Sequence, residues 1–226
     1  LFFKNIDIGL YTIYSHPKTP PSQLFLRNNI IPKITNTRWG DSSLVKATLL
    51  LLESAYQDID NQYFILISES CIPIVNFNTL YKYLSNTDKS LLYWRHNSNR
   101  LDRYLKLSHR IRKYISFKNF YSQHQWMILC RKHVSACLNN NILNDFMMVH
   151  ACDEHYFVTL FNLLGILKTE FINKKTTYCD WSDTKSMHPK TFHQVDTALI
   201  ETAHSHQTFF IRKISRNCNL CKYLYF

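Results

Sequence analysis

A single α/β domain built on a mostly parallel central sheet is the architecture that the sequence predicts, and three observations lead to it. Strand-like and helix-like segments alternate along the chain. Two of the strand-like segments, Asn61 to Ser68 and Gln125 to Cys130, are apolar runs of the kind that is covered on both faces. Neither an internal repeat nor a linker divides the 226 residues.

Taken in order, Tyr11 to His16 has strand composition and stops at Pro17, Pro20 and Pro21, which cannot continue a ladder. Asp41 and Ser42 are good N-cap types ahead of Leu44, Val45, Ala47, Leu49, Leu52, Ala55 and Tyr56, whose spacing predicts a helix to about Gln57. After the strand ending at Ser68 come a helix over Phe77 to Leu84 and a strand over Ser90 to Arg95. Asn97 to Lys118 is a basic segment to which no element is assigned. A strand to Cys130 leads into a helix over Lys132 to Asn140. Asp153 and Glu154 open an apolar helix, Tyr156 to Leu164, that Gly165 terminates.

Composition narrows the function. With 46% hydrophobic residues and 15% aromatic residues the chain can bury a core, and with only 3 glycines it has no glycine-rich phosphate loop. A phosphate site must then use side chains or helix ends. The longest apolar run, Leu49 to Leu52, is too short for a bilayer span. A net charge of +11 suits an anionic partner. Seven cysteines at irregular spacing give no closed disulfide framework, and Cys218 with Cys221 is half of a zinc-ribbon pattern at most. His150, Cys152, Glu154 and His155 fit no metal-ligand spacing, and His204 and His206 stand isolated. Abundant Asn, Ile, Lys and Tyr are expected of AT-rich coding sequence, as in a virus or protist, and the start at Leu1 points to sequence upstream.

Several motifs occur in one register: Trp39-Gly40 before a helix, Phe64 to Pro73 with its Ser-Glu-Ser-Cys-Ile-Pro end, Ser122 to Trp126, Asp153 to Tyr156, Asp180-Trp181-Ser182, His188 to Phe192, and Phe209 to Lys213. In this order the chain resembles the core-2/I-branching β-1,6-N-acetylglucosaminyltransferases, glycosyltransferase family 14, over roughly residues 2 to 214, and most of all their branching-enzyme-like members. The resemblance implies a GT-A-type, Rossmann-like domain spanning 1–226, whose first strand would precede Leu1. It implies an inverting transfer from a UDP-sugar, UDP-N-acetylglucosamine first, to a hydroxyl of a glycan or glycoprotein. It also implies a lumenal place on Golgi or other secretory membranes, anchored through a segment outside this chain. A virion or host-cell location follows if the source is viral.

An inverting transfer needs one carboxylate to take the acceptor proton and positive charge on the departing diphosphate. The resemblance puts the base on Glu154, where a helix start would favour the ionised form. It implies no metal and no other cofactor, with Arg212 and Lys213 as the basic groups on the diphosphate. The one DxD sequence, Asp58-Ile59-Asp60, precedes a strand and reads as a solvated turn, whereas a metal-binding DxD follows one. Glu69 and Ser70, at the carboxyl end of a strand, are expected on the donor with Trp39, Gly40 and Ser43. Gln125, Trp126, Asp153 and Trp181 are expected on the acceptor, tryptophan faces suiting sugar rings.

Two other classes compete. A transferase fold that binds glycans without turnover would bind donor and leave it intact. A nucleic-acid-binding protein would use the eight Lys or Arg of Arg95 to Lys118 and show steep salt dependence. No nucleic acid is expected if the family resemblance holds.

Overall fold

The computed structural model describes residues 10–19, 21, 27–186 and 188–220. In chain order they form α1 (Ser43–Tyr56), β1 (Tyr63–Ile65), β2 (Ile72–Pro73), α2 (Phe77–Ser85), β3 (Ser90–Leu92), β4 (Trp94–His96), α3 (Leu101–Leu105) and α4 (His109–Arg112). There follow β5 (Tyr121–Gln123), β6 (Ile128–Cys130), α5 (Arg131–Asn139), α6 (Tyr156–Leu163), α7 (Leu167–Glu170), β7 (Phe171–Asn173) and β8 (Thr177–Cys179). The chain closes with β9 (Phe192–Val195), α8 (Thr197–Ser205), β10 (Phe210–Arg212) and β11 (Ile214–Leu220).

The fold is mixed α/β, but the sheets are not mostly parallel. The largest has the order β1-β6-β3-β7, with β6 antiparallel to β1 and β3 and only β3 and β7 parallel. A second, β2-β10-β8, is half antiparallel, β9 with β11 is parallel, and β4 with β5 is antiparallel. An apolar run reports that a strand is buried and not which way it points; direction is set by the connection before it. Nor is β1 covered on both faces. Among the described residues it lies at the sheet's edge, Phe64 is buried, and Ile65 and Ile67 are 37% and 47% exposed.

The strand expected over Ser90 to Arg95 is two strands in different sheets, broken at Tyr93. The Asn173 side chain bridges the break, accepting from the Trp94 N–H and donating to its C=O, each at 3.0 Å. Tyr11 to His16 forms only a single bridge, Ser15 with Ile30, among the described residues; Pro20 lies outside them. The basic segment folds into a 3-10 turn, Ser98–Arg100, then α3 and α4.

Why the centre holds is visible in α6. Tyr156 to Phe161 are all buried, so this helix is apolar around its circumference and fills the core. Gly165, at φ +74°, ends the turn after it as expected, with its N–H on Asn162 O and the Ile166 N–H on Phe161 O. Arg131 ties the end of α1 to the start of β1: its guanidinium donates to Tyr56 O, Asp58 O and Asn61 O at 2.7–3.0 Å and lies 4.2 Å over the Tyr56 ring. Those carbonyls belong to a helix end and the turn after it, where only Asp58 O has a further donor, the Asn61 N–H at 3.4 Å, among the backbone bonds of the described turn, and the arginine satisfies them.

Candidate functional site

The site is built where the turn before α1 meets the turn before α6. Gly40, at φ +78°, accepts a hydrogen bond from the Ala151 N–H at 2.8 Å. A Cβ on Gly40 would stand 2.5 Å from the His150 ring, so only glycine permits the approach. Trp39 is 57% exposed and its indole meets the His150 ring edge-on at 5.2 Å and the His188 ring at 6.1 Å. This leaves an open aromatic surface on the turn that Gly40 joins to Ala151.

Asp153 and Glu154 belong to a 3-10 turn, Cys152–Glu154, that His155 separates from α6. They do not form the first turn of that helix, so the expected helix-dipole support for Glu154 is replaced by a side chain. Arg103, buried in α3, places its Nη1 on Glu154 Oε2 and 3.1 Å from His155 Nε2. Glu154 keeps 42% of its side chain exposed. Burial and the neighbouring Glu154 carboxylate push Asp153 up to about 6, against its own backbone hydrogen bond and Arg103.

Two histidines line the same region. Burial pushes His155 down to about 4, although its hydrogen bond to Tyr121 opposes this. Burial, Lys175 and Arg95 push His124 down to about 4, with Glu154 acting the other way. The His124 ring packs edge-on against Tyr93, over which Lys175 Nζ stands at 5.0 Å.

A second group gathers at the carboxyl end of β10. The Arg212 guanidinium donates to Ser68 Oγ and, at 2.5 Å, to Ser70 Oγ, and stacks 4.5 Å over the Trp126 ring. Ser70 is buried, and its carbonyl accepts the Ile214 N–H at 2.9 Å. Trp126 is 8% exposed, so the ring face that sequence reading offered to a sugar is covered by Arg212. In the β2-β10-β8 sheet Arg212 is paired with Cys179, whose thiol burial pushes up to about 12 while Arg212 and Lys175 oppose it. Lys175 therefore acts electrostatically on both groups.

The remaining expected residues are scattered around these two groups. Ser43 is engaged in the turn, donating to Asp41 and accepting the Arg38 N–H at 2.8 Å. Asp41 accepts the Ser43 N–H at 2.7 Å, and Ser42, the N-cap by position, makes no side-chain cap. Glu69 is exposed, Lys213 and Gln125 are half-buried, and Trp181 is 52% exposed after an Asp180 that holds the Ser182 N–H at 2.8 Å.

The Asp58 carboxylate closes its own turn on the Asp60 N–H at 3.0 Å. Cys152 is fully buried and pushed up to about 12 by burial, and among the described residues no cluster of three His, Cys, Asp or Glu side chains could hold a metal ion. His204 bonds Ile74 O at 2.9 Å, and Cys221 lies outside the described residues. Sequence reading missed Arg103, His124 and Lys175, because within a chain this basic nothing in their spacing sets them apart.

Comparison with known proteins finds similarity over most of the chain. The model of the Core-2/I-Branching enzyme family matches residues 1–204. The chain is also 25% identical over 230 aligned positions to glycosyltransferase BC10 of Oryza sativa subsp. japonica, an alignment covering 86% of this chain. It spans 56% of the length of that relative.

Proposed function

The chain belongs to the core-2/I-branching enzyme family, and from that premise we propose that it is an inverting glycosyltransferase whose general base is Glu154. The observation that carries the reading is the Glu154 carboxylate itself, half in solvent, fixed by a buried arginine, and set on a turn that Gly40 and Trp39 hold in place. The exposed Trp39 surface, which packs on His150 and His188, suits the apolar face of a sugar.

In the proposed reaction Glu154 takes the proton of the acceptor hydroxyl as its oxygen attacks the anomeric carbon of a UDP-sugar. The bond from that carbon to the diphosphate oxygen breaks on the opposite face, UDP departs, and the configuration inverts. Charge developing on the diphosphate is met by Arg212, oriented by Ser68, Ser70 and Trp126, and by Lys213 beside it. Fixed cations of this kind supply the stabilisation that a divalent metal gives in other transferases, so the reaction is proposed to need no metal.

N-acetylglucosamine as the sugar, a glycan or glycoprotein hydroxyl as acceptor, and a lumenal Golgi location are the parts of this proposal drawn from the family. No described helix is long and apolar enough to cross a membrane. Against a nucleic-acid surface in the basic segment, Arg103 is turned inward on Glu154 and Arg110 is paired with Asp145.

The test is a panel of UDP-sugars with glycan acceptors in the presence of chelator, read by mass spectrometry of the products. Transfer or hydrolysis of one donor supports the proposal. Tight donor binding with no turnover would replace it with a glycan-binding module, and dependence on added manganese would overturn the role given to Arg212 and Lys213.

A further inference from the structure

We propose that Arg103 is the positioning residue for the Glu154 base, and that His155, in its Nδ1–H form, is the anchor that holds Arg103 in place. This rests on the transferase reading above.

His155 Nδ1 lies 2.8 Å from the Tyr121 carbonyl oxygen, which can only accept, so Nδ1 carries the hydrogen. Nε2 then presents a lone pair to Arg103 Nη1 at 3.1 Å, the one polarity that works, because a guanidinium has donors only. A protonated ring would turn a second N–H toward the arginine and break the contact. The ring is 0% exposed and stacked on Phe120 at 4.4 Å and 17°, so it cannot turn away. Tyr121 in turn is fixed in the β4–β5 ladder opposite His96. A continuous set of bonds thus runs from the sheet through His155 and Arg103 to Glu154 Oε2.

The arrangement leaves the other carboxylate oxygen for substrate. Among the described residues the Glu154 side chain makes no hydrogen bond except that to Arg103. Arg103 is 8% exposed and its buried charge has Glu154 as its sole ion-pair partner among those residues, which ties its position to the base and not to solvent. The other charged or titratable groups that face the pair are Asp153 on the same turn, Arg100 one helical turn before Arg103, and His124 after β5.

The test compares the full chain with Arg103→Gln, Arg103→Lys, Glu154→Gln and the Arg103→Gln/Glu154→Gln double variant, using the donor that the wild type turns over. Misplacing the base by an ångström should lower kcat roughly 100-fold in Arg103→Gln with little change in donor KM. Arg103→Lys should recover only part of kcat, again with little change in donor KM, because an ammonium cannot reproduce the guanidinium geometry; it also carries the test if Arg103→Gln does not fold.

In the Glu154→Gln background, removing Arg103 should slow residual turnover no further. A rise in donor KM as large as the fall in kcat, or a loss in the double variant equal to the product of the single losses, would overturn the positioning role alone. Failure of the wild type with every donor would overturn the transferase reading and this role with it.

Discussion

Replacing Gly40 with alanine should destabilise the protein and slow it together, because one residue serves the turn and the base. At φ +78° an L-residue is strained by roughly 1–2 kcal/mol. The new Cβ would also fall 2.5 Å from His150 Cε1 and 2.9 Å from Nδ1, so the ring must swing off Trp39 and give up a contact worth about 0.5–1.5 kcal/mol. A total of roughly 1.5–3.5 kcal/mol corresponds to about 3–14 °C in Tm for a chain of this length.

Turnover should fall as well, since the Gly40 carbonyl holds Ala151 and, through it, the turn carrying Glu154. Gly165→Ala is the control: φ is +74° but nothing lies within 4 Å of the added methyl, so only the strain remains, Tm should fall less, and turnover should be kept. Calorimetry and initial rates on the three proteins decide it. A Gly40→Ala protein that melts within about 1 °C of wild type and works at the wild-type rate would refute the close approach on which the site's geometry depends.

Other changes have equally definite outcomes. Arg131→Ala takes the guanidinium from Tyr56 O and Asn61 O and leaves Asp58 O with the Asn61 N–H alone, at 3.4 Å, and should cost roughly 2–3 kcal/mol in urea unfolding; a loss below about 1 kcal/mol would show that water replaces the arginine. Because burial holds His155 and His124 near 4 in the folded state, against about 6.5 when unfolded, the unfolded chain binds the extra protons between those values. Unfolding free energy should therefore decline as pH falls from about 6.5 toward 4, less steeply once Asp153, pushed up to about 6, takes its proton in the folded state, and a rise over that range in urea titrations would contradict the burial of these rings. Arg212→Gln should raise donor KM at least about tenfold, as one charge-assisted contact to a phosphate is lost, and uncover Trp126, so that its fluorescence shifts; an unchanged KM would remove Arg212 from the donor site.

Some of the residues that the structure brings together in the candidate site stand out in the sequence as motifs. Trp39-Gly40 and Asp153-Glu154 lie far apart in sequence, yet they meet through Gly40 O and Ala151 N. Helices were read to within a residue or two wherever an apolar stripe runs through them, as in α1, α2 and α5. Strand direction was not legible, since burial of Ile128 and Leu129 is the same whether their neighbours run with or against them.

The partners of the charged groups were equally hidden. Arg103 is one of eight basic residues between Arg95 and Lys118, and its inward turn follows from packing of α3 against the acidic turn, which no local pattern encodes. Trp126 shows the converse. An aromatic face suited to sugar was visible in the sequence, but the guanidinium that covers it comes from Arg212, in a distant strand.

The central claim is that Glu154 removes the acceptor proton. It is tested most directly by comparing UDP-sugar turnover of wild type and Glu154→Gln, in chelator, with folding checked by melting and donor binding checked separately. The account predicts a folded variant that binds donor as wild type does and has lost on the order of 100-fold or more in kcat. A Glu154→Gln enzyme with full kcat would contradict it.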